Sequence, residues 1–540
     1  MLGLMQDWPL LIHRIIDQAA RQHGSQEVVT RSVEGPIERI TYREVHMRAL
    51  KVAQRLVQDG IKPGDRIATM AWNTARHLEA WYGITGAGAV YHTINPRLFP
   101  EQIAWIANHA EDRMIMTDLT FVPLCEALAD KMPTVERYIV LTDKAHMPAT
   151  KLKNAISYEE WIGSVDGDFR WLSLDENSAA GLCYTSGTTG NPKGVLYSHR
   201  SNVLHSMAAS GVDALAIGSR TTILPIVPLF HANSWSIAFS APMMGAKLVM
   251  PGAKLDGASV YELLSDEKVT CTAGVPTVWL MLLQYMQKEG KKLPHLKRLV
   301  IGGSAAPRAM IEAFEKTYGI EVLHAWGMTE MSPLGSLGSL KASVDQLQGA
   351  ALYDLKIKQG YTPFTVEMKI TDDSGKELPW DGKTFGSLKV AGPAVAKAYF
   401  RVDENILDDQ GFFDTGDVAT IDANGYMQIT DRSKDVIKSG GEWISSIELE
   451  NLAVGHPDVM EAAVIGIAHP KWDERPLLVV VPKEGREISR ENVLEFMQGK
   501  IAKWWMPDDV QVVKEIPHTA TGKINKVTLR EQFKGYRLPG

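Results

Sequence analysis

Between positions 184 and 194 the chain reads Tyr184-Thr185-Ser186-Gly187-Thr188-Thr189-Gly190-Asn191-Pro192-Lys193-Gly194. Glycines let backbone N–H groups come close to a ligand. The hydroxyls of Thr185, Ser186, Thr188 and Thr189 add donors, and Lys193 adds a point charge suited to phosphate. The apolar run 179–184 before it reads as a buried strand. Residues 195–199 follow it, and then a helix opened by Ser201 or Asn202. A glycine-rich turn beside a strand is a ready anion cradle. The common NTPase loop needs Gly, four residues, then Gly-Lys-Ser/Thr. Here Pro192 stands five residues after Gly187, and Gly194 follows Lys193. On composition alone a polar surface turn accounts for the stretch equally well.

Other groups carry the same double reading. His324-Ala325-Trp326-Gly327-Met328-Thr329-Glu330 follows the strand-like 321–323. Its aromatic ring would stack a base, and its Thr-Glu oxygens would suit magnesium; the bland alternative is a strand-to-turn junction with Glu330 in solvent. Asp414-Thr415-Gly416-Asp417 is either a β-turn or a ribose clamp through Asp417. Lys438-Ser439-Gly440-Gly441-Glu442-Trp443 is a flexible turn or a mobile loop near a ligand. His231, after Pro228-Leu229-Phe230, reads first as a core histidine. Thr521-Gly522-Lys523 near the C-terminus reads first as a polar turn with a solvated lysine.

The elements that must position these groups come next. A chain of 540 residues exceeds one hydrophobic core, so several domains are expected. Its net charge of −7 gives no support for broad nucleic-acid or anionic-membrane binding. Cys125, Cys183 and Cys271 form no CxxC pair, which argues against zinc and a disulfide framework and fits a reducing cytoplasm. The N-terminus has no basic region before its apolar residues and makes a poor secretory signal. The apolar segment 237–252 is interrupted by Pro242, Gly245 and Lys247 and does not read as a membrane span. Apolar strands alternating with amphipathic helices run from residue 65 to about 301, which implies helix-covered parallel sheets. Gly83, Gly86 and Gly88 fail the dinucleotide pattern and read as packing glycines. After about residue 365 short alternating strands separated by turns predict an antiparallel or barrel-like β piece. From residue 434 a small α/β unit follows, and the charged stretch 431–435 marks the junction.

In order and content these groups resemble the adenylate-forming superfamily of acyl-CoA synthetases, luciferases and nonribosomal adenylation domains, and the resemblance spans essentially the whole chain. It implies an α/β fold: a large adenylation domain over 1–434, with helix-covered sheets and a β-barrel-like subdomain, and a small mobile domain over 435–540. It implies ATP, Mg2+ and coenzyme A, and two half-reactions through an acyl-adenylate. Thr185, Ser186, Gly187, Thr188, Thr189 and Lys193 would hold the β- and γ-phosphates. Gly303, Ser304, His324, Ala325, Trp326, Gly327, Met328 and Thr329 would take the adenine side, Asp417 and Arg432 the ribose, and Lys438 a further nucleotide contact. Thr185 and Glu330 would place magnesium. Lys523 would be the catalytic lysine, with Glu330 and His231 beside it. His231, Trp235, Gly302 and Pro333 would form the acyl pocket, the large Trp235 ring favouring a short or medium chain. Ser439, Gly440, Gly441, Glu442, Trp443 and Arg475 would meet CoA, with the hinge at Lys434 or Asp435. Trp326 stands where the family often has Tyr, and Asp431-Arg432 where it often has Gly-Arg; neither removes a needed group. In general likeness the chain resembles the medium-chain and 3-methylthiopropionate–CoA ligases, the latter serving dimethylsulfoniopropionate breakdown, and its first 42 residues resemble those of dimeric long-chain synthetases, implying a homodimer. Long-chain synthetases, carrier-loading domains and luciferase-like oxygenases share these groups, and a nucleotide-binding regulator that has lost catalysis is the alternative from another class.

Overall fold

A computed structural model describes residues 1, 3–185, 191–440, 442–518 and 524–539, with Glu442 and Trp443 by backbone alone. Seven strands form a first sheet in the order Ile156–Ser157, Arg137–Val140, Met114–Thr117, Arg66–Met70, Val90–Thr93, Ala179–Tyr184 and Gly194–Ser198. All neighbours are parallel except the last pair. Val90–Thr93 and Met114–Thr117 are buried at every position, as strands covered on both faces must be. A second sheet of eight strands places Thr222–Pro225, Lys247–Met250, Cys271–Gly274, Arg298–Ile301 and Glu321–Gly327 in its parallel centre. Antiparallel strands Ile37–Thr41 and Leu334–Leu337 close its two edges.

Helices cover these sheets where the apolar spacing predicts them. Tyr42–Gln58 starts at a capping box in which Thr41 and Glu44 satisfy each other's backbone N–H groups. The glycines read as packing residues are contact points. A Cβ at Gly83 would lie 2.4 Å from Val52 Cγ1, and one at Gly86 would lie 2.1 Å from the Trp171 ring. One start differs from the sequence reading. The helix after the glycine-rich stretch is His199–Ala209, opened by Ser198, whose hydroxyl accepts from Ser201 N–H. Ser201 is the third residue of the helix and the return partner in that capping box.

A four-stranded antiparallel sheet follows in the order Glu367–Thr371, Gly386–Ala391, Phe413–Ile421 and Met427–Arg432. The last sheet joins Glu442–Ile444, Ile437–Ser439, Asp473–Pro482 and Val459–His469, with Asp509–Val512 pairing parallel to Asp473–Pro482. Helices Ser446–Val454, Arg490–Met497 and Lys526–Gln532 accompany it. Asp431, on the antiparallel sheet, accepts the Ser446 N–H at 2.7 Å and so sits at the start of a helix of this last unit. Asp435 pairs with Arg530 at 2.7 Å, and Lys526 with Glu450 at 2.7 Å. Burial opposes the Lys526 charge, but Glu450 and Asp431 outweigh it and raise its pKa.

Candidate active site

The carboxyl ends of two adjacent parallel strands, Arg298–Ile301 and Glu321–Gly327, deliver Gly302, Gly303 and the 325–330 segment to one wall of a cleft of about 620 Å³. Clefts at strand carboxyl ends are where open α/β sheets bind ligands. Residues 413–416 and 432–435 also line the cleft, with Thr185 and Tyr399, and Ile524, Asn525, Lys526 and Val527 join the lining from the last unit.

On the 325–330 side, Trp326 Nε1–H donates to Asp417 Oδ2 at 3.0 Å, while Arg432 Nε meets Asp417 Oδ1 at 2.9 Å. The Asp417 carboxylate is buried and thus ties three groups read separately from the sequence into one unit. Trp326 cannot rotate without breaking that bond, so its ring is fixed as a flat wall. Gly327 fits because a Cβ there would lie 2.1 Å from Pro333 O. His324 lies further back than the sequence suggests, because the strand runs through it to Gly327. It is buried, its Nδ1 lies 2.7 Å from Ile357 O, and burial lowers its pKa to about 4. It supports the wall without lining the cleft. Ser304 is exposed and likewise outside the lining, while Gly303 lines it at a φ of +82°.

Glu330 is buried. Its Oε1 accepts the Tyr399 hydroxyl at 2.8 Å, and the Ala396 N–H donates to its carbonyl at 2.7 Å. Lys193 Nζ lies 4.8 Å from the centroid of the Tyr399 ring, within cation–π range. Tyr197 hydroxyl donates to Thr329 O at 2.6 Å. Tyr399 and Tyr197 carry no signal in the sequence; they reach the site because 396–400 docks along Gly194–Ser198, with Phe400 N–H on Gly194 O at 2.8 Å. The ends of the glycine-rich stretch are pinned together. Thr185 N–H donates to Lys193 O at 2.9 Å, and Lys193 N–H to Thr185 Oγ1 at 3.3 Å. Ser186, Gly187, Thr188 and Thr189 lie outside the described residues. Thr185 and Glu330 both line the cleft and offer oxygen donors, a set that fits a hard cation such as magnesium.

Part of the lining is apolar. Ala232, Trp235, Gly302, Ala325, Pro333 and Leu334 line it together with His231. The Trp235 ring rests on Gly302, where a Cβ would lie 2.8 Å from Trp235 Cη2. His231 also borders a small adjoining hollow formed by Thr93, Asn95, Leu98, Ile106, Tyr184 and Phe230.

At the junction Lys434 and Asp435 line the cleft, and in the last unit Lys438 is exposed with its N–H on Glu474 Oε2 at 3.1 Å. Ser439 is buried, and Gly440 turns at a φ of +61° beneath Trp472 and Trp504. Arg475, expected at CoA, is buried and internally engaged. It reaches Asp508 at 2.7 Å, the carbonyls of Trp504 and Met506 at 2.8 and 3.1 Å, and Ser439 Oγ at 3.3 Å. It shapes the Gly440 turn and presents no open guanidinium face. Gly441 and Lys523 lie outside the described residues, as do the side chains of Glu442 and Trp443.

A family model described as AMP-binding enzyme matches residues 16–400, and one described as AMP-binding enzyme C-terminal domain matches residues 448–523. The chain belongs to the AMP-binding enzyme family. It is 49% identical over 534 residues to a 3-methylmercaptopropionyl-CoA ligase of Ruegeria lacuscaerulensis, covering 99% of each chain. It is 47% identical over 533 residues to a medium-chain-fatty-acid–CoA ligase of Ectopseudomonas oleovorans, covering 99% of this chain and 98% of that one. The ATP-bound structure of MatB from Rhodopseudomonas palustris superimposes with a TM-score of 0.82 at 25% identity, over 98% of this chain and 99% of that chain.

Proposed function

We propose that the chain is an AMP-forming acyl-CoA synthetase acting on a short- or medium-chain carboxylate, with 3-methylthiopropionate first among candidates. The observation that carries this reading is one cleft lined both by Trp326, Arg432 and Glu330, the first two tied together through the buried Asp417 behind them, and by the apolar Trp235, Gly302 and Pro333. Such a lining suits a nucleotide beside an acyl chain. The 49% identical relative, by its name a 3-methylmercaptopropionyl-CoA ligase, supports the substrate class.

In the first half-reaction a carboxylate oxygen bonds to the α-phosphorus of ATP, and the bond to the β-phosphate bridge oxygen breaks, releasing pyrophosphate. Anion meets anion, so positioned positive charge must bring the reactants together. Lys193 with Thr185, Ser186, Gly187, Thr188 and Thr189 grips the leaving phosphates. The Trp326 face takes the adenine, and Arg432 with Asp417 takes the ribose. Magnesium, when bound, neutralises phosphate charge, and Glu330 and Thr185 are the residues that would hold it. Lys523 bridges the carboxylate and the α-phosphate. In the second half-reaction the CoA thiolate bonds to the acyl carbon and AMP leaves with its oxygen. We place the hinge between 1–434 and 435–540 at Lys434 or Asp435, so that the last unit presents first Lys523 and then the Gly440–Gly441 turn to the cleft. The same reading includes a homodimer and a cytoplasmic setting, for which the three buried free thiols are suited.

Lys523→Ala tests the assignment. Loss of one such charge-stabilising group costs about 10²–10³ in rate. Carboxylate-dependent ATP–pyrophosphate exchange should fall by that factor, while thioester formation from supplied acyl-adenylate stays within about threefold. Equal loss in both half-reactions overturns the role.

A further inference from the structure

Glu34 stands in the turn between strands Glu27–Arg31 and Ile37–Thr41 of the eight-stranded sheet, and Asp143 and His146 follow strand Arg137–Val140 of the seven-stranded sheet. One carboxylate oxygen from each acid and one ring nitrogen of His146 lie within 4.8 Å of one another. None of the three lines the cleft, and no step of the reaction given above uses them.

Acidic groups gather on protein surfaces without binding anything; the state of Glu34 separates this cluster from those. Its side chain is only 3% exposed. Oε1 accepts the Thr142 hydroxyl and Arg76 Nη1, each at 2.7 Å. Oε2 is buried and has no hydrogen-bond partner among the described residues. A bare buried carboxylate oxygen costs desolvation free energy that nothing offsets, and such an atom in a native fold marks a place that a water or an ion completes. The surrounding charge favours a cation. Asp143 brings a second carboxylate. Arg76 is shared among Glu34, Glu159 at 2.9 Å and Glu38 at 3.8 Å, Arg48 meets Glu159 at 2.8 Å, and Lys144 is drawn to Glu160 at 2.9 Å. Carboxylates outnumber cations in this group.

Two carboxylates and an imidazole are a donor set that zinc accepts. Zinc takes His nitrogen and carboxylate oxygen at about 2.0–2.2 Å, so tetrahedral donors stand roughly 3.4 Å apart. His146 Nδ1 lies 2.9 Å from Asp143 Oδ1, and the His146 and Asp143 side chains are 53% and 39% exposed. The ring can therefore turn to admit an ion, and the open side supplies an approach and a water as the remaining ligand. We propose that Glu34, Asp143 and His146 form a structural zinc site that ties the turn 32–36 to the segment 142–146 and so fastens the two sheets together at this point. The site needs no cysteine, so the want of a CxxC pair does not bear on it.

The test uses untagged protein stripped with EDTA and dialysed against a series of zinc chloride concentrations, with bound metal counted by atomic emission and the melting temperature recorded with and without zinc. Wild type should bind one zinc per chain that His146→Ala and Asp143→Asn each weaken by at least about tenfold, as loss of even a group behind the ligands does. Zinc should raise the melting temperature of wild type and leave that of His146→Ala unchanged. If His146→Ala does not fold, Asp143→Asn decides. No zinc on wild type, or equal zinc on wild type and both variants, overturns the site; zinc bound with no rise in the wild-type melting temperature overturns its structural role. None of these results bears on the reading of the cleft.

Discussion

Replacing Tyr399 by phenylalanine isolates one hydrogen bond in the cleft. The hydroxyl donates to the buried Glu330 carboxylate at 2.8 Å, while the ring carries the Lys193 ammonium 4.8 Å from its centroid. Phenylalanine keeps the ring and therefore most of the cation–π contact. A hydrogen bond to a charged group contributes about 1.5–3 kcal/mol. If Glu330 matters only in adenylation, the loss appears there as about a 10- to 150-fold lower rate, at about 1.4 kcal/mol per tenfold. The assay is carboxylate-dependent ATP–pyrophosphate exchange at a series of magnesium concentrations, beside thioester formation from supplied acyl-adenylate. Exchange should fall in that range and need more magnesium for half-maximal rate, and thioester formation should change less than threefold. Exchange within twofold of wild type, or an equal fall in both half-reactions, would refute the role given to the Tyr399–Glu330 pair.

Asp417→Asn keeps the shape of the side chain but removes the charge that meets Arg432 at 2.9 Å. At about 1.5–3 kcal/mol for a charged hydrogen bond, the KM for ATP should rise at least tenfold with the carboxylate KM within threefold; an unchanged ATP KM would contradict the ribose assignment. Asp435→Pro fixes φ and deletes the N–H that donates to Arg432 O at 2.8 Å. Overall acyl-CoA turnover should fall more than tenfold, and normal turnover would count against the hinge. His205 is buried, accepts the Leu334 N–H at 2.8 Å and has its pKa lowered by burial to about 3. Its folded pKa lies below the unfolded value, so between pH 6.5 and 3 the unfolded chain binds more protons at this site and stability is lost as pH falls. Chemical denaturation of wild type and His205→Gln at pH 6.5 and pH 5.5 should show wild type losing about 1 kcal/mol more than the variant over that unit; parallel losses would sink the assignment.

Much of this site was legible because its groups lie in short local runs. Trp326, Glu330, Asp417 and Arg432 stand in stretches whose spacing and order carry the resemblance, and the cleft brings them together. What the sequence hid are contacts made by docking. Tyr399 reaches Glu330 across 69 residues because 396–400 lies along Gly194–Ser198, and no periodicity in that segment announces it. Arg475 is expected at CoA from the resemblance, and its bonds to Asp508 and two carbonyls are contacts no local run announces. The helix start at Ser198 was missed because Ser201 also suits a cap and its place as third residue is visible only in the hydrogen bonds. The backbone at 232–236 was illegible for a plainer reason: it is left-handed throughout, and Ala, Asn, Ser, Trp and Ser hold it without a glycine to mark it.

The central claim is that one cleft runs carboxylate activation through an acyl-adenylate and passes the acyl group to a thiol. Its most direct test supplies purified protein with magnesium, ATP and 3-methylthiopropionate, first without and then with CoA, and follows pyrophosphate, AMP and thioester together. The account predicts carboxylate-dependent exchange of pyrophosphate into ATP without CoA, and, once CoA is added, thioester and AMP in equal amounts. ADP and phosphate as products, or thioester formation with no carboxylate-dependent exchange, would contradict it.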